Sequence, residues 1–216
     1  MAGKNCTIYL VRHGETDNNK YKIIQGSRVD APLNPTGEAQ AKAAAEKLKQ
    51  VKFATAFSSD LARAKRTAEI IMLEHQLAVV TKKILRERGL GELEGKSEKI
   101  FYIQLKDLLE QFEVLSDREK FKFNFPFGIE KLDLAVSRLI TFLREISIAY
   151  RGKAVLVVSH GALIRHFLIH IGWATFKQLK WHPGQPPPVQ NLGTAVIESD
   201  GVDFFVKDTF GINKSI

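Results

Sequence analysis

The chain reads as an α/β protein, a three-layer α/β/α sandwich on a mostly parallel central sheet, and three observations predict it. Two short apolar runs, Thr7-Ile8-Tyr9-Leu10-Val11 and Ala154-Val155-Leu156-Val157-Val158, are rich in β-branched residues and read as buried strands. Helix-forming stretches alternate with strand-forming ones, which argues for a parallel sheet covered on both faces. Each apolar run also ends in a polar step, Arg12-His13-Gly14 in one case and Ser159-His160-Gly161 in the other. Ligand sites of parallel α/β sheets open at the carboxyl edge of the strands, so the two imidazoles are expected to meet at one site.

The elements follow in order. After the first strand and a loop, an Ala-rich stretch over 38–50 has strong helix propensity, with Thr36 as the expected N-cap and Glu38 in the first turn. Residues 52–57 read as a strand, and Ser58-Ser59-Asp60 is expected to start a second helix. Along that helix Leu61, Ala64, Ala68 and Ile71 keep helical spacing and should face the sheet, whereas Arg63 lies off this face. A third strand follows.

Residues 96–150 differ in character and read as a small helical cap inserted into one domain spanning 1–216. Phe101, Leu105, Leu108 and Phe112 predict an amphipathic helix. Residues 120–127 alternate lysine or asparagine with aromatics, which fits an exposed strand or a loop whose aromatics cover a pocket. A further helix over 132–149 leads to the strand that ends at His160, and a helix and a last strand complete the order. Residues 184–188, Gly-Gln-Pro-Pro-Pro, read as a stiff spacer.

Composition sets bounds. The 216 residues suit one large domain, and 44% hydrophobic with 26% charged residues is ordinary for a soluble globular protein. The net charge of +8, with pI about 9.5, favours anionic substrates; with no block of basic residues and no binding motif, nucleic acid is not expected. Cys6 is the sole cysteine, so no internal disulfide forms. The amino terminus has no signal-peptide pattern and no run approaches the ~18 apolar residues of a membrane span, so a cytoplasmic location without membrane contact is expected. His166 and His170 stand at i and i+4 but without a third ligand, so a packed helix is preferred to a metal pair. His75 and the Trp181-His182-Pro183 cluster are given no role.

The motifs carry a resemblance. Arg12-His13-Gly14-Glu15-Thr16 with Asn19 resembles the signature of the histidine phosphatase superfamily, the phosphoglycerate mutase-like fold. Gln25-Gly26 with Asp30, Pro32 and Leu33 matches that family's substrate loop. Ser58-Ser59-Asp60-Leu61 with Arg63 and Thr67 matches the element supplying its second phosphate-binding arginine. Leu85-Arg86-Glu87-Arg88 with Gly91 and Glu94-Gly95 matches the segment of its acid/base glutamate, and Ser159-His160-Gly161 supplies its second histidine. One Arg-His-Gly is a weak signal; five segments in order are not.

The resemblance implies catalytic His13, Glu87 and His160, phosphate-binding Arg12, Arg63 and His160, and substrate contacts from Asn19, Gln25, Gly26 and Gly161. It implies no cofactor and no metal, and a small phosphorylated metabolite as partner, bound by a monomer or homodimer. An imidazole attacks phosphorus and leaves again, splitting one hard hydrolysis into two transfers. Forked, permanently charged guanidinium groups stabilise the charge that develops on the phosphoryl oxygens. Within the family the chain looks most like the fructose-2,6-bisphosphatase-type phosphatases that regulate glycolysis. A phosphoglycerate mutase using the same phosphohistidine is the first alternative, and a non-catalytic phosphate-binding protein is the second. The mutases' paired arginines are missing from 96–127, where Arg118 stands alone, and this favours hydrolysis. One departure is Pro126-Phe127-Gly128-Ile129-Glu130-Lys131, where the family usually has Pro-Pro-Gly-Gly-Glu-Ser. Ile129 is expected to crowd the pocket wall, and Lys131 to contact a second phosphate or face solvent.

Overall fold

A computed structural model describes residues 5–181 and 185–215. His182, Pro183 and Gly184, which belong to the loop cluster and the spacer discussed above, lie outside these residues.

The strands are β1 (Cys6–Arg12), β2 (Phe53–Ser58), β3 (Val79–Thr81), β4 (Ala154–Ser159), β5 (Val189–Ser199) and β6 (Phe204–Ile212). They form one sheet of order β3-β2-β4-β1-β5-β6. The first four in that order run parallel, and β5 and β6 add an antiparallel edge. The sequence pattern captures the parallel part. It reads the end of the chain as a single strand, where a long hairpin stands.

The helices are α1 (Asp17–Lys20), α2 (Pro35–Leu48), α3 (Ala62–Met72), α4 (Glu98–Glu113), α5 (Asp117–Lys122), α6 (Leu132–Ala149) and α7 (Gly161–His170). Alternation along the central strands explains the layers. Ile8, Leu10, Val155 and Val157 point into a core shared with α6 and α7, while Val11, Leu156 and Val158 point into one shared with α3. Such fully covered strands need continuous apolar runs, which β1 and β4 have.

Several local expectations are corrected. The N-cap of α2 is Asn34, whose side chain accepts from Gly37 N at 2.8 Å; Pro35 occupies the first turn, where its missing N–H costs nothing, and Thr36 is inside the helix. Helix α3 begins at Ala62 rather than at the serines. Its first N–H is taken by Asp30 Oδ1 at 2.7 Å, an acceptor from a distant loop. The strand option for 120–127 fails because Ser116 and Glu119 form a reciprocal capping box that starts α5. The aromatics beyond α5 do pack: Phe125 joins Leu93, Leu105 and Ile129 in a separate small core with Phe123 and Phe112 at its border. Helix α6, in contrast, lies against the main sheet.

Candidate active site

His13 and His160 each stand one residue beyond the end of a strand, β1 and β4, which are parallel neighbours. Arg12 and Ser159 are register partners, and His13 N donates to Ser159 O at 3.0 Å, one step beyond β1. The two rings meet edge to face with centroids 5.2 Å apart. Both are buried.

His13 Nδ1 lies 2.7 Å from Gly14 O. A carbonyl only accepts, so Nδ1 carries the proton and Nε2 keeps its lone pair. Burial, then the charges of Arg63 and Arg12, hold the His13 pKa well below the ordinary histidine range. Burial and the charge of Arg63 do the same for His160, whose two ring nitrogens have no hydrogen-bond partner among the described residues. Both imidazoles are therefore neutral at pH 7.

Two guanidinium groups face them. Arg12 donates Nη1 to Val189 O at 2.7 Å, while Arg63 donates Nη1 to Val29 O and Nη2 to Gly26 O at 2.8 and 2.9 Å. Burial pulls each pKa down to about 10, still charged at neutrality. In both residues Nε is buried and has no partner among the described residues. Buried donors are nearly always satisfied, so the two guanidinium Nε groups and the one N–H of neutral His160 are three donors left for an acceptor-rich group. The sequence reading of Arg63 as lying off the apolar face is right geometrically. That face, however, is roofed by the 25–30 loop and not by solvent.

Glycines shape the pocket at two points. Gly26 has φ of +57°, and a Cβ there would sit 2.4 Å from the Glu94 carboxyl group. Glu94 itself accepts from Ser27 N, Arg28 N and Leu90 N, tying the loop to the segment after Glu87. At Gly161 a Cβ would approach Arg12 Cδ and Nε to 3.0 Å, so this glycine makes room for the guanidinium.

Glu87 is the carboxylate whose charge acts most strongly on both Arg12 and Arg63. Its Oε1 accepts from Leu163 N at 2.9 Å and Arg88 N at 2.8 Å, and its Oε2 from Ala162 N at 3.0 Å. It thereby caps α7 directly beside His160, a helix whose own N-cap side chain makes no such bond. Gln25 is buried with Oε1 unpartnered, and the half-buried Asn19 spends its Oδ1 on the Thr16 backbone in the cap of α1. Asn19 therefore serves as a turn former, whatever else its amide contacts.

Two further residues support the site. Thr67 Oγ1 accepts from Gly14 N at 3.0 Å and donates to Arg63 O at 2.7 Å, joining the two halves of the pocket. Asn191 donates to His13 O at 3.0 Å from β5. Thr67 is visible in the motif around Arg63; nothing in the sequence points to Asn191.

The divergent stretch departs from expectation at Ile129 and takes one of the two expected courses at Lys131. Ile129 is buried in the small separate core with Leu93, Leu105 and Phe125, so it does not crowd the pocket. Lys131 is the exposed residue preceding α6 and faces solvent. From the cap, Glu98 at the start of α4 is close enough for its charge to act on Arg12, and burial pushes its own carboxyl pKa up. A cleft of about 320 Å³ beside Glu87 is lined by Arg28, Lys83, Arg86 and Arg138 against Glu87 and Glu130. Among the described residues no group of three or more His, Cys, Asp or Glu side chains is arranged to hold a metal. His166 is buried against Arg165, and His170 packs edge-on to Phe121. No helix among the described residues is long and apolar enough to cross a membrane.

Two neutral imidazoles and two buried guanidinium groups thus gather at the carboxyl ends of β1 and β4. The chain belongs to the histidine phosphatase superfamily (branch 1), whose model matches residues 8–207. It is 37% identical over 165 residues to an uncharacterized phosphatase PhoE of Bacillus subtilis, covering 76% of each chain. It is 50% identical over 93 residues to the fructose-2,6-bisphosphatase TIGAR of Mus musculus, a match that spans 41% of this chain and 35% of that one. The crystal structure of a phosphoglycerate mutase from Bacillus anthracis superimposes with a TM-score of 0.82 at 25% identity, over 97% of this chain and 94% of the other.

Proposed function

We propose that the protein is a metal-independent phosphatase that hydrolyses small phosphorylated metabolites through a phosphohistidine on His13. The observation that carries this reading is the set of buried, unpartnered donors of Arg12, Arg63 and His160 around a neutral His13 with a free Nε2. Family membership supports phosphatase activity.

The chemistry follows from the geometry. His13 Nε2 attacks phosphorus and the bond to the leaving oxygen breaks, while Arg12, Arg63 and His160 hold the equatorial oxygens. Glu87 gives its proton to the departing oxygen. Its Oε2 accepts one backbone bond where Oε1 accepts two, so Oε2 is the oxygen with room for that proton. In the second half Glu87, now a carboxylate, takes a proton from water as the water attacks phosphorus. The bond to His13 Nε2 breaks, and inorganic phosphate leaves. Gln25 and Gly26 of the substrate loop, together with Asn19 of α1, supply the substrate contacts, and Gly161 seats Arg12. Residues 96–150 are read as a cap whose covering part is α4 and α5, with α6 belonging to the sandwich.

The substrate is a metabolite with a second acidic group, of the sugar bisphosphate or phosphoglycerate type. Support comes from Arg28 and Lys83 in the cleft beside Glu87, whose other cations Arg86 and Arg138 are held by Asp60 and Glu130, and from the partial match to fructose-2,6-bisphosphatases. Hydrolysis is preferred to mutase activity because Arg118, the lone arginine of 96–127, is exposed on α5. A panel of phosphorylated sugars and glycerates, assayed in chelator for free phosphate and for isomers, tests the reading. Phosphate release that disappears in His13→Ala supports it. Isomer formation without phosphate release would make the protein a mutase, and silence with retained phosphate binding would make it a binding protein.

A further inference from the structure

Glu130 and Arg138 lie on the turn into α6 and on its second turn, and their polar atoms converge on the backbone that carries Glu87. Arg138 donates Nη2 to Glu87 O at 3.0 Å and Nη1 to Ile84 O at 2.6 Å. Its Nε and Nη2 also meet Glu130 Oε1 and Oε2 at 3.0 and 3.2 Å. Glu130 in turn accepts from Gly89 N through Oε2 at 2.9 Å, and its backbone N donates to Gly89 O at 2.8 Å. Its carbonyl accepts Arg88 Nε at 2.7 Å. Three consecutive residues, Glu87, Arg88 and Gly89, are therefore gripped by one ion pair and its backbone.

The pair is about a quarter exposed, 21% for Arg138 and 25% for Glu130, and an ion pair so placed adds little stability by its charge alone. Its geometry is more telling than its energy. The Glu87 carboxylate itself faces the start of α7 beside His160, with no side chain among the described residues hydrogen-bonded to it. Three backbone N–H groups hold the carboxylate itself, and the Arg138–Glu130 pair is the side-chain contribution that holds the segment carrying it.

We propose that Arg138 and Glu130 are positioning residues that set the Glu87 carboxyl group against the leaving oxygen, without touching the substrate. The proposal rests on the acid/base role of Glu87 given above. A residue that acts only through a proton donor has a distinctive signature. Esters whose leaving group departs unaided as an anion are indifferent to it, and esters that need a proton are not.

The test uses the full chain and the single-turnover release of the alcohol or phenol. Wild type, Arg138→Lys, Glu130→Gln and Glu87→Gln are compared on p-nitrophenyl phosphate and on an alkyl ester, glycerol phosphate. For Arg138→Lys and Glu130→Gln, release from the alkyl ester should fall roughly 10- to 100-fold, the scale of a displaced catalytic group, while nitrophenol release stays near wild type. An equal loss on both esters, or no loss on either, overturns the clamp. If Glu87→Gln discriminates between the esters and the two clamp variants do not, only the clamp fails. If Glu87→Gln itself does not discriminate, the acid role fails and takes the clamp with it. Should Arg138→Lys unfold at the assay temperature, Glu130→Gln carries the same expectation, since it keeps the size of the side chain and the backbone bonds of residue 130.

Discussion

Around His13 and His160 the buried groups are polar, and each is held by backbone from a different part of the chain: Val189 for Arg12, Gly26 and Val29 for Arg63, Gly14 for His13. Under the cap the buried groups are Leu93, Leu105, Phe125 and Ile129, held by contact alone, with Lys120 laid over the rings of Phe112 and Phe176. The two regions adjoin, since α4 places Glu98 within electrostatic reach of Arg12. They nevertheless obey different rules. A phosphate site needs particular atoms in particular places. An apolar core tolerates exchange of shape as long as volume is kept. The pocket should therefore fail in chemistry before stability when altered, and the cap in stability before chemistry.

Arg63→Lys is the sharpest way to test the pocket half of that contrast. The charge survives, but the fork that meets two loop carbonyls is lost. Turnover should fall about 10²- to 10³-fold, the cost of removing a preorganised donor, in a protein whose far-ultraviolet circular dichroism is unchanged. Leu105→Ala tests the cap half. It empties a fully buried position and should lower stability by about 2–5 kcal/mol in denaturant titrations, with turnover per folded molecule little changed. A result of the opposite kind in either variant would erase the distinction.

Acid sharpens the contrast further. His13, His160 and His166 are all buried with pKa values held below the ordinary 6.5. Below pH 6.5 the unfolded chain therefore binds protons that the folded one refuses. Stability is full above 6.5 and declines as pH falls toward the folded values, by about 1.4 kcal/mol per pH unit for each histidine. Melting temperature against pH should show this slope, and His166→Asn should make it shallower. The smallest effect is expected at Lys131. It faces solvent, so Lys131→Ser should shift stability by no more than about 0.5 kcal/mol and leave the rate on acidic substrates unaltered; a large loss of rate would place that cation in the substrate path.

How much of this could be read from the residues divides along the same line. The strands β1 and β4 were legible because double burial demands continuous apolar runs, and His13 and His160 because they end those runs. The family motifs extend that reading to Arg12, Arg63 and Glu87. What remained hidden is set by tertiary contact. Asp30 supplies the first acceptor of α3 from a distant loop, and Asn191 reaches His13 O from a hairpin that interrupts its apolar pattern with Gly193, Gly201 and Gly211. Ile129 was misjudged for a related reason. Its neighbours Phe127 and Gly128 both have positive φ, 63° and 69°, and the chain reversal turns the side chain into the cap core instead of toward the pocket.

The central claim is that phosphate passes through His13, and trapping the intermediate tests it most directly. A radiolabelled phosphoryl substrate mixed with stoichiometric enzyme and quenched in alkali should leave an acid-labile label on His13, formed as fast as the alcohol is released and absent from His13→Ala. Turnover with no label on the enzyme, or with label retained in His13→Ala, would contradict the account.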